Sequence, residues 1–364
     1  MKISPKARRS ILQIIPFGIL SMAFNLVYVL IEKGILGDHP IYPSTGNPYY
    51  FNPWIIVLLT GASGLFMGSI EVFYLNKKFN RSTFIKKVFF KTSIYLILLT
   101  LLIFVNVTLS NTFEFGTDIW DEQVWEDTRK FFSSFAFWSI FLFLGLLISV
   151  ALFYREVSDN IGQEVLFNFF TGKYHHPIEE QRIFMFLDMK SSTTIAEKLG
   201  HVQYFNMLRE YYADLSERII EYEGEIYQYV GDEIVLSWKL QQGLRNQNCI
   251  RTFFAMKRTL LDQEKKYQTR YGISPRFKAG LHFGQVTTGE IGEIKKDIIF
   301  TGDVLNATAR IQGLCNHYQT DLLISGELKE ALSLGDEYQV NDLGEAELRG
   351  RNEKMKIYSL IEVR

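Results

Sequence analysis

Hydrophobic residues are concentrated in four long runs that all lie before Tyr154, and polar segments separate these runs. The runs are Ile11–Ile31, Pro53–Tyr74, Ser93–Leu109 and Phe131–Tyr154. Each run approaches the roughly 20 apolar residues that cross a bilayer as a helix. Apolar positions continue all the way round each helix, whereas a helix on the surface of a soluble protein would show one stripe. The pattern predicts an all-α, four-helix transmembrane domain over residues 1–154.

The charges of the connecting segments predict the orientation of these helices. Basic residues precede the first run and separate the second from the third: Lys2, Lys6, Arg8, Arg9, Lys77, Lys78, Arg81, Lys86 and Lys87. Acidic residues dominate between the third and fourth runs: Glu114, Asp118, Asp121, Glu122, Glu126 and Asp127. By the positive-inside rule the N-terminus is cytoplasmic, and four spans return the chain to the cytoplasm. We therefore expect a multi-pass protein of the inner or plasma membrane with a cytoplasmic C-terminal half.

Two ionisable residues, Glu71 and Lys91, fall near the predicted cytoplasmic ends of adjacent spans. An ion pair or snorkelling of the lysine would explain them, and a role in sensing a signal is the alternative. The outer segments 33–52 and 110–130 are predicted to be loops, too short for a folded sensor domain. The sequence therefore does not identify a stimulus.

A mixed segment, residues 155–181, follows the last span. Its apolar residues recur at helical spacing: Val157, Ile161, Val165, Leu166 and Phe169. Thr171-Gly172-Lys173 interrupts this pattern and Pro177 ends it, as expected where a helix stops. The segment is interpreted as an amphipathic coupling helix between the membrane domain and a C-terminal domain over residues 182–364.

The C-terminal half places two carboxylates at the ends of predicted strands. Arg182–Asp188 alternates as a buried strand and ends at Asp188. Glu225–Val230 and Glu233–Trp238 form a predicted hairpin whose tight turn is Gly231-Asp232. Two carboxylates on neighbouring strand ends can hold two divalent cations. A solvated aspartate in an ordinary Gly-Asp turn is the alternative for Asp232.

Composition and charge exclude some other classes of protein. The net charge is −1, so the chain lacks the basic balance expected of a general nucleic-acid binder. Cys249 and Cys315 are the two cysteines, and they lack the spacing of metal ligands. They suit a reducing compartment.

Two further patterns carry possible chemistry. The small polar residues after Asp188, including Thr193, lead from a strand into a predicted helix that begins near Ile195. Such a junction offers backbone N–H groups to phosphate, although a plain N-cap cluster would look the same. Asn306 and Arg310 lie four residues apart, which puts both on one face of a predicted helix.

In their order and spacing, three segments together resemble the catalytic domain of class III nucleotide cyclases. They are FLDMKSSTT (Phe186–Thr194), EIYQYVGDEIVLSW (Glu225–Trp238) and FTGDVLNATARIQ (Phe300–Gln312). The resemblance covers roughly Ile183 to Leu360. It implies an α+β domain of the ferredoxin-like, polymerase-palm type, with a mostly antiparallel sheet and helices on one face.

The resemblance also implies a role for each matching residue. Asp188 and Asp232 would hold two Mg²⁺ ions per site, with Mn²⁺ as a substitute. Thr193 would lie in the turn that wraps the triphosphate. Asn306 would orient the ribose, and Arg310 would neutralise charge on the α-phosphate. No residue of these motifs is identified as the general base.

The implied substrate is a nucleoside triphosphate. Adenylate cyclases of this class read adenine with a lysine and an aspartate, but these positions are Gln228 and Ile299 here. ATP is favoured on family prevalence, and GTP or a pyrimidine triphosphate remains open. Arg349 would contact the terminal phosphates, although its hairpin is one residue longer than usual.

In this family the site lies between two catalytic domains, one supplying the metal carboxylates and the other the base-reading and Asn/Arg positions. One domain that carries both sets implies a homodimer with two equivalent sites. Two alternatives remain. The VGDEI segment also resembles the signature turn of diguanylate cyclases, although Val230 replaces a glycine there. A catalytically degenerate membrane receptor or scaffold is the non-enzymatic alternative.

Overall fold

The computed structural model describes residues 4–37, 53–79, 82–347 and 354–363. The chain divides into two compact units, one formed by residues 7–167 and the other mainly by residues 168–364. The first unit is helical, and its elements are α1 (Pro5–Leu36), α2 (Pro53–Ile70), a π-helical turn (Glu71–Leu75), α3 (Asn76–Phe79), α4 (Phe84–Phe115), α5 (Glu122–Ser133) and α6 (Phe135–Ile161).

Four helices of the first unit are long and apolar enough to cross a membrane: α1, α2 with its π-helical extension, α4 and α6. This confirms the four predicted apolar spans. The predicted loop 110–130 is wrong, because α4 continues to Phe115 and a separate helix, α5, follows. Asp121 caps α5 by accepting a hydrogen bond from the Gln123 N–H at 2.9 Å. The charged residues of α5 lie around a buried stripe that includes Val124 and Thr128, so it is amphipathic.

Glycines let α1 and α2 approach closely. A Cβ atom at Gly64 would lie 2.6 Å from the carbonyl oxygen of Phe17, and one at Gly61 would lie 2.3 Å from Met22. Small residues at such a contact are the usual device for packing helices in a membrane.

The predicted ion pair between Glu71 and Lys91 is confirmed. Lys91 donates to Glu71 Oε1, and both side chains are almost completely buried. The hydroxyl of Tyr95 donates to Glu71 Oε2 at 3.4 Å, and Glu156 Oε1 lies 3.5 Å from Lys91 Nζ. Glu71 is also the first residue of the π-helical turn, a distortion often found at functional positions.

The segment between the two domains contains two helical pieces instead of one. Helix α6 continues past Tyr154 to Ile161, and α7 (Gln163–Thr171) follows after Gly162. The first strand, β1, begins at Ile178, four residues before the predicted start.

The second unit is an α+β domain, as predicted. Its elements after α7 are β1 (Ile178–Met189), α8 (Ser192–Leu199), α9 (His201–Glu221), β2 (Glu225–Val230), β3 (Glu233–Lys239), α10 (Leu240–Leu244), α11 (Asn248–Asp262), α12 (Glu264–Tyr271), β4 (Phe277–Ile291), β5 (Asp297–Thr301), α13 (Asp303–Gly313), β6 (Leu322–Ser325), α14 (Gly326–Ala331), β7 (Tyr338–Ala346) and β8 (Met355–Glu362). The strands form one sheet in the order β2-β3-β1-β4-β6-β8-β7, with β5 paired to β4. All pairs are antiparallel except β4 with β6.

The two faces of the sheet are covered by different elements. Along β1, Ile183, Met185 and Leu187 pack with residues of α9 and α11 in the main core. Phe184 and Phe186 point to the opposite face, where they pack with Val304 of α13. The expectation of helices on one face therefore holds for α9 and α11, whereas α13 lies on the other face.

Candidate active site

Asp188 and Asp232 meet at one end of the sheet. Strand β1 pairs antiparallel with β3, and Leu187 lies opposite Ile234. Asp188 directly follows Leu187, and Asp232 stands in the turn just before β3, so the pairing places the two carboxylates side by side at this end of the sheet.

A tyrosine fixes the turn that carries Asp232. Gly231 adopts a positive φ of 62°, which favours glycine. The hydroxyl of Tyr212, on α9, donates to the Gly231 carbonyl oxygen at 2.7 Å. The Tyr212 ring also packs against Tyr229 at the end of β2, with centroids 4.6 Å apart. The turn is therefore held against α9.

The two aspartates shift the pKa values of groups around them. Burial and the neighbouring Asp232 carboxylate raise the pKa of Asp188, and Lys278 opposes this increase. Burial, followed by the two aspartates, raises the pKa of Tyr204 to about 12. Burial and then Asp188 and Asp232 also raise the pKa of Glu233. These directions share one cause besides burial, namely two carboxylates close together.

The residues present fit a divalent cation. Oδ2 of Asp232 is buried and has no hydrogen-bond partner within the described residues. The described residues contain no group of three or more His, Cys, Asp or Glu side chains that could hold a metal ion. Two carboxylates, with the other ligands supplied by water and substrate phosphates, are a common donor set for Mg²⁺.

Two residues beside Asp188 were not singled out from the sequence. Lys278 lies opposite Asp188 in the β1–β4 pairing, and its Nζ is 3.3 Å from Asp188 Oδ2. The same Nζ donates to Asn316 Oδ1 at 3.2 Å. Nε2 of Gln312, on α13, donates to Asp188 Oδ2 at 3.2 Å. These contacts depend on the register of β1 against β4 and on the orientation of α13, which local sequence patterns do not show.

Thr193 lies in the first turn of a helix. Helix α8 begins at Ser192, three residues earlier than the predicted Ile195, after Ser191 in the left-handed region. Thr193 is exposed there. Backbone N–H groups of a first helical turn have no partners within the helix, so this end of α8 can receive an anion.

Asn306 and Arg310 lie on α13, on the side away from the sheet. The buried residues of α13 are Val304, Ala307, Thr308, Ile311 and Gln312. Since each residue turns the helix by about 100°, Arg310 is about 200° round the axis from Gln312, which contacts Asp188. Asn306 is exposed, and Nη1 of Arg310 is buried without a hydrogen-bond partner in the described ranges. The structure therefore does not turn this pair towards the Asp188 of the same chain.

Gln228 and Ile299 lie on β2 and β5. The residues next to them in the sequence, Tyr227 and Phe300, are in contact. The Phe300 N–H donates to the Tyr227 hydroxyl at 3.3 Å. Gln228 is exposed and Ile299 is half-buried. Arg349 lies outside the described residues.

The C-terminal half of the chain is similar to known proteins. The model of the adenylate and guanylate cyclase catalytic domain matches residues 175–362. Adenylate cyclase 2 of Rhizobium meliloti is 34% identical over 209 residues, covering 57% of this chain and 58% of the relative. An adenylate cyclase of Anabaena cylindrica is 27% identical over 183 residues, covering 48% of this chain and 36% of the relative. The match thus spans 58% of the length of the first relative and 36% of the length of the second.

Solved structures show the same fold. A bacterial light-regulated adenylyl cyclase matches with a TM-score of 0.53 at 20% identity, covering 63% of this chain and 67% of that one. A second structure of such an enzyme gives a TM-score of 0.51 at 21% identity, covering 59% of this chain and 62% of that one. The family match extends over more than half of the chain and includes both strand-end aspartates. The chain therefore belongs to the adenylate and guanylate cyclase family, whose catalytic domain it carries after four apolar helices.

Proposed function

We propose that the chain is a membrane-bound cyclase that converts ATP to 3′,5′-cyclic AMP and pyrophosphate at sites shared by two copies of the chain. The observation that carries this proposal is the placement of Asp188 and Asp232 side by side on neighbouring strands, with Oδ2 of Asp232 buried and without a partner in the described part of the chain. The adenylate cyclases among the relatives support ATP as the substrate.

The chain's own residues would bind the triphosphate and its metal. Asp188 and Asp232 would hold Mg²⁺, with Mn²⁺ as a substitute. A bound divalent cation supplies positive charge that lowers the pKa of the ribose 3′-hydroxyl and neutralises the phosphates. The first turn of α8, with Thr193, would donate hydrogen bonds to phosphate oxygens, and Arg349 is proposed to contact the terminal phosphates.

The reaction is an intramolecular phosphoryl transfer. The 3′-oxygen forms a bond to the α-phosphorus, the bond from that phosphorus to the bridging oxygen breaks, and pyrophosphate leaves. The proton of the hydroxyl passes to water. Arg310 would stabilise the charge that develops on the α-phosphate, and Asn306 would orient the ribose.

The geometry of α13 supports a site between two chains. Gln312 lies six positions after Asn306, which corresponds to about 9 Å along the helix axis. Arg310 faces away from the side that contacts Asp188. A partner copy of the chain can bring its own Asn306 and Arg310 to this Asp188, and the same exchange would form a second, equivalent site. The membrane helices would keep two copies at high effective concentration.

The base would lie between Gln228 and Ile299. A glutamine amide both donates and accepts hydrogen bonds, so it can pair with the N6 and N1 edge of adenine, whereas Ile299 can offer only its backbone. The catalytic domain would be cytoplasmic, where nucleoside triphosphates are found. The basic segments before α1 and between α2 and α4 support this orientation.

One experiment tests the proposal. The purified full chain in detergent is incubated with Mg²⁺ or Mn²⁺ and each of the four common ribonucleoside triphosphates, and the products are identified by mass. We expect cyclic AMP from ATP as the main product. Cyclic GMP or a cyclic pyrimidine nucleotide would revise the substrate, and cyclic di-GMP would identify a diguanylate cyclase. Absence of product from every triphosphate would favour a non-enzymatic receptor or scaffold.

A further inference from the structure

Arg182 is a charged residue in the interior of the catalytic domain. It lies on β1, and only 1% of it is exposed. Its Nη1 donates to Glu225 Oε2 at 2.8 Å and to Ser237 Oγ at 2.7 Å. Its Nε donates to Glu180 Oε1 at 3.1 Å. One guanidinium thus ties β1 to both β2 and β3.

The same guanidinium stacks on an aromatic ring of a fourth strand. Its Cζ lies 4.6 Å from the centroid of the Phe300 ring, on β5. The Phe300 ring in turn packs against Tyr227, on β2, at 4.8 Å, and the Phe300 N–H donates to the Tyr227 hydroxyl at 3.3 Å. These three residues, Arg182, Phe300 and Tyr227, are called the cross-sheet stack below.

The cross-sheet stack joins two strands that the sheet keeps apart. Strand β2 is at one edge, and β3, β1 and β4 lie between it and β5. No backbone pairing therefore joins β2 directly to β5. The side chains of Tyr227 and Phe300 bridge β2 and β5 directly. Arg182, which is bonded to β2 and β3, stacks on the Phe300 ring.

The two strands carry the positions assigned to the base. Gln228 directly follows Tyr227, and Ile299 directly precedes Phe300. A displacement of Phe300 relative to Tyr227 would therefore change the spacing between Gln228 and Ile299. Positioning errors of about 1 Å at a reactive site can cost about 100-fold in rate.

A purely structural role does not account well for a charge at this position. Burying a guanidinium costs free energy, and well-packed apolar residues of similar volume often stabilise a core equally well or better. Arginine differs from them, and from lysine, in its planar fork, which donates in fixed directions and stacks on rings. The contacts of Arg182 use both properties.

We propose that Arg182 is a positioning residue of the nucleotide site: through the cross-sheet stack it sets the spacing of Gln228 and Ile299, and thereby the preference between adenine and guanine. This rests on the proposed function, because Gln228 and Ile299 contact the base only if the domain binds a nucleotide as class III cyclases do.

The test compares Arg182→Lys with the wild type in the full chain. Lysine keeps the charge and loses the fork and the stack. The kcat and KM for ATP and GTP are measured, together with the affinities for 3′-deoxy-ATP and 3′-deoxy-GTP, which bind but cannot cyclise. We expect the ATP-to-GTP ratio of affinities to change by at least about fivefold, mostly in KM, with a smaller change in kcat. Arg258→Lys is the matched control, since Arg258 pairs with Glu362 at 2.6 Å on the surface.

A second variant covers the case in which Arg182→Lys does not fold. Tyr227→Phe keeps the ring and removes only the hydroxyl that accepts from Phe300. It should shift the same ratio, at unchanged thermal stability. An unchanged ratio in folded Arg182→Lys or in Tyr227→Phe overturns the positioning role and leaves the cyclase proposal standing. A wild type that binds both analogues but forms no cyclic nucleotide from ATP or GTP overturns the cyclase activity, and a shifted ratio of affinities still supports the role of Arg182. Absence of binding to either analogue overturns both.

Discussion

The amide of Gln312 donates a hydrogen bond to the Asp188 carboxylate at 3.2 Å, and so fixes which side of α13 faces the proposed metal ligands of its own chain. Asn306 and Arg310 lie on the other side of the helix. This relationship separates a site within one chain from a site shared by two, and a mixing experiment can decide between them.

Co-expression of Asp232→Ala with Arg310→Ala should restore activity. Each homodimer loses one essential group in both of its sites. In a mixed dimer both lesions fall in the same site, and the other site is intact. With random assembly, activity should approach about a quarter of wild type, because half of the dimers are mixed and each has one working site. If mixed dimers are isolated with two affinity tags and remain inactive, the shared site is wrong.

Asp188→Ala and Asp232→Ala should each reduce turnover to less than about a tenth of wild type, because the proposed two-metal site would lose the positioning of both reacting oxygens with either ligand. Initial rates of cyclic nucleotide formation measure this effect, and circular dichroism checks the fold. Asp262→Ala is the control, since Asp262 is exposed at the end of α11. Substantial residual activity in a folded Asp188 or Asp232 variant would contradict the metal assignment.

Gln228→Lys should sharpen the preference for ATP over GTP. A lysine only donates hydrogen bonds, which suits N1 of adenine and not the N1–H of guanine. The ratio of kcat/KM for the two triphosphates measures the preference. Gln203→Lys, a charge change on α9, serves as the control because Gln203 is also exposed. Equal ratios in Gln228→Lys and wild type would show that this side chain does not read the base.

Lys91→Met should destabilise the membrane domain by about 3–5 kcal/mol, because it leaves the buried Glu71 carboxylate without its main partner. The double variant Glu71→Gln with Lys91→Met should recover much of this loss, since it removes both charges together. Thermal unfolding in lipid nanodiscs measures both variants. A double variant that is less stable than Lys91→Met alone would mean that the two residues do not act as a pair.

Gly64→Ala should lower the stability of the membrane domain by about 1–3 kcal/mol, because the new Cβ would collide with the backbone of α1. Gly34→Ala is the matched control on α1, where no atom lies within 4 Å of the added Cβ. The two variants are compared by thermal unfolding in the same detergent. Equal stability of the two would argue against close packing of α1 and α2 at Gly64.

The sequence predicted features that depend on local pattern. The four apolar runs follow from composition along one helix, and the Asp188 and Asp232 strand ends follow from alternation and a Gly-Asp turn. The contact of Lys278 with Asp188 needed the register of β1 and β4, which residues 90 positions apart cannot reveal by local pattern. The charged segment before the fourth span resembled a loop, because the buried stripe of α5 contains only Val124 and Thr128 as its most buried members.

The sequence also did not predict which face of the sheet α13 covers. Its apolar stripe shows that one face is buried, but not which face of the sheet receives it. That choice depends on Val304 meeting Phe184 and Phe186 instead of the core around Met185. It also decides where Arg310 points. The motif therefore singled out Arg310, whereas its direction relative to Asp188 depends on tertiary packing.

The ion pair of Glu71 with Lys91 has a consequence for biosynthesis. The two residues lie on consecutive spans, and a short segment joins these spans. If either span left the translocon alone, it would carry an uncompensated charge towards lipid, which costs free energy even near the end of a span. Leaving together, the two helices present a neutral pair. The second and third spans are therefore expected to enter the membrane as one helical hairpin.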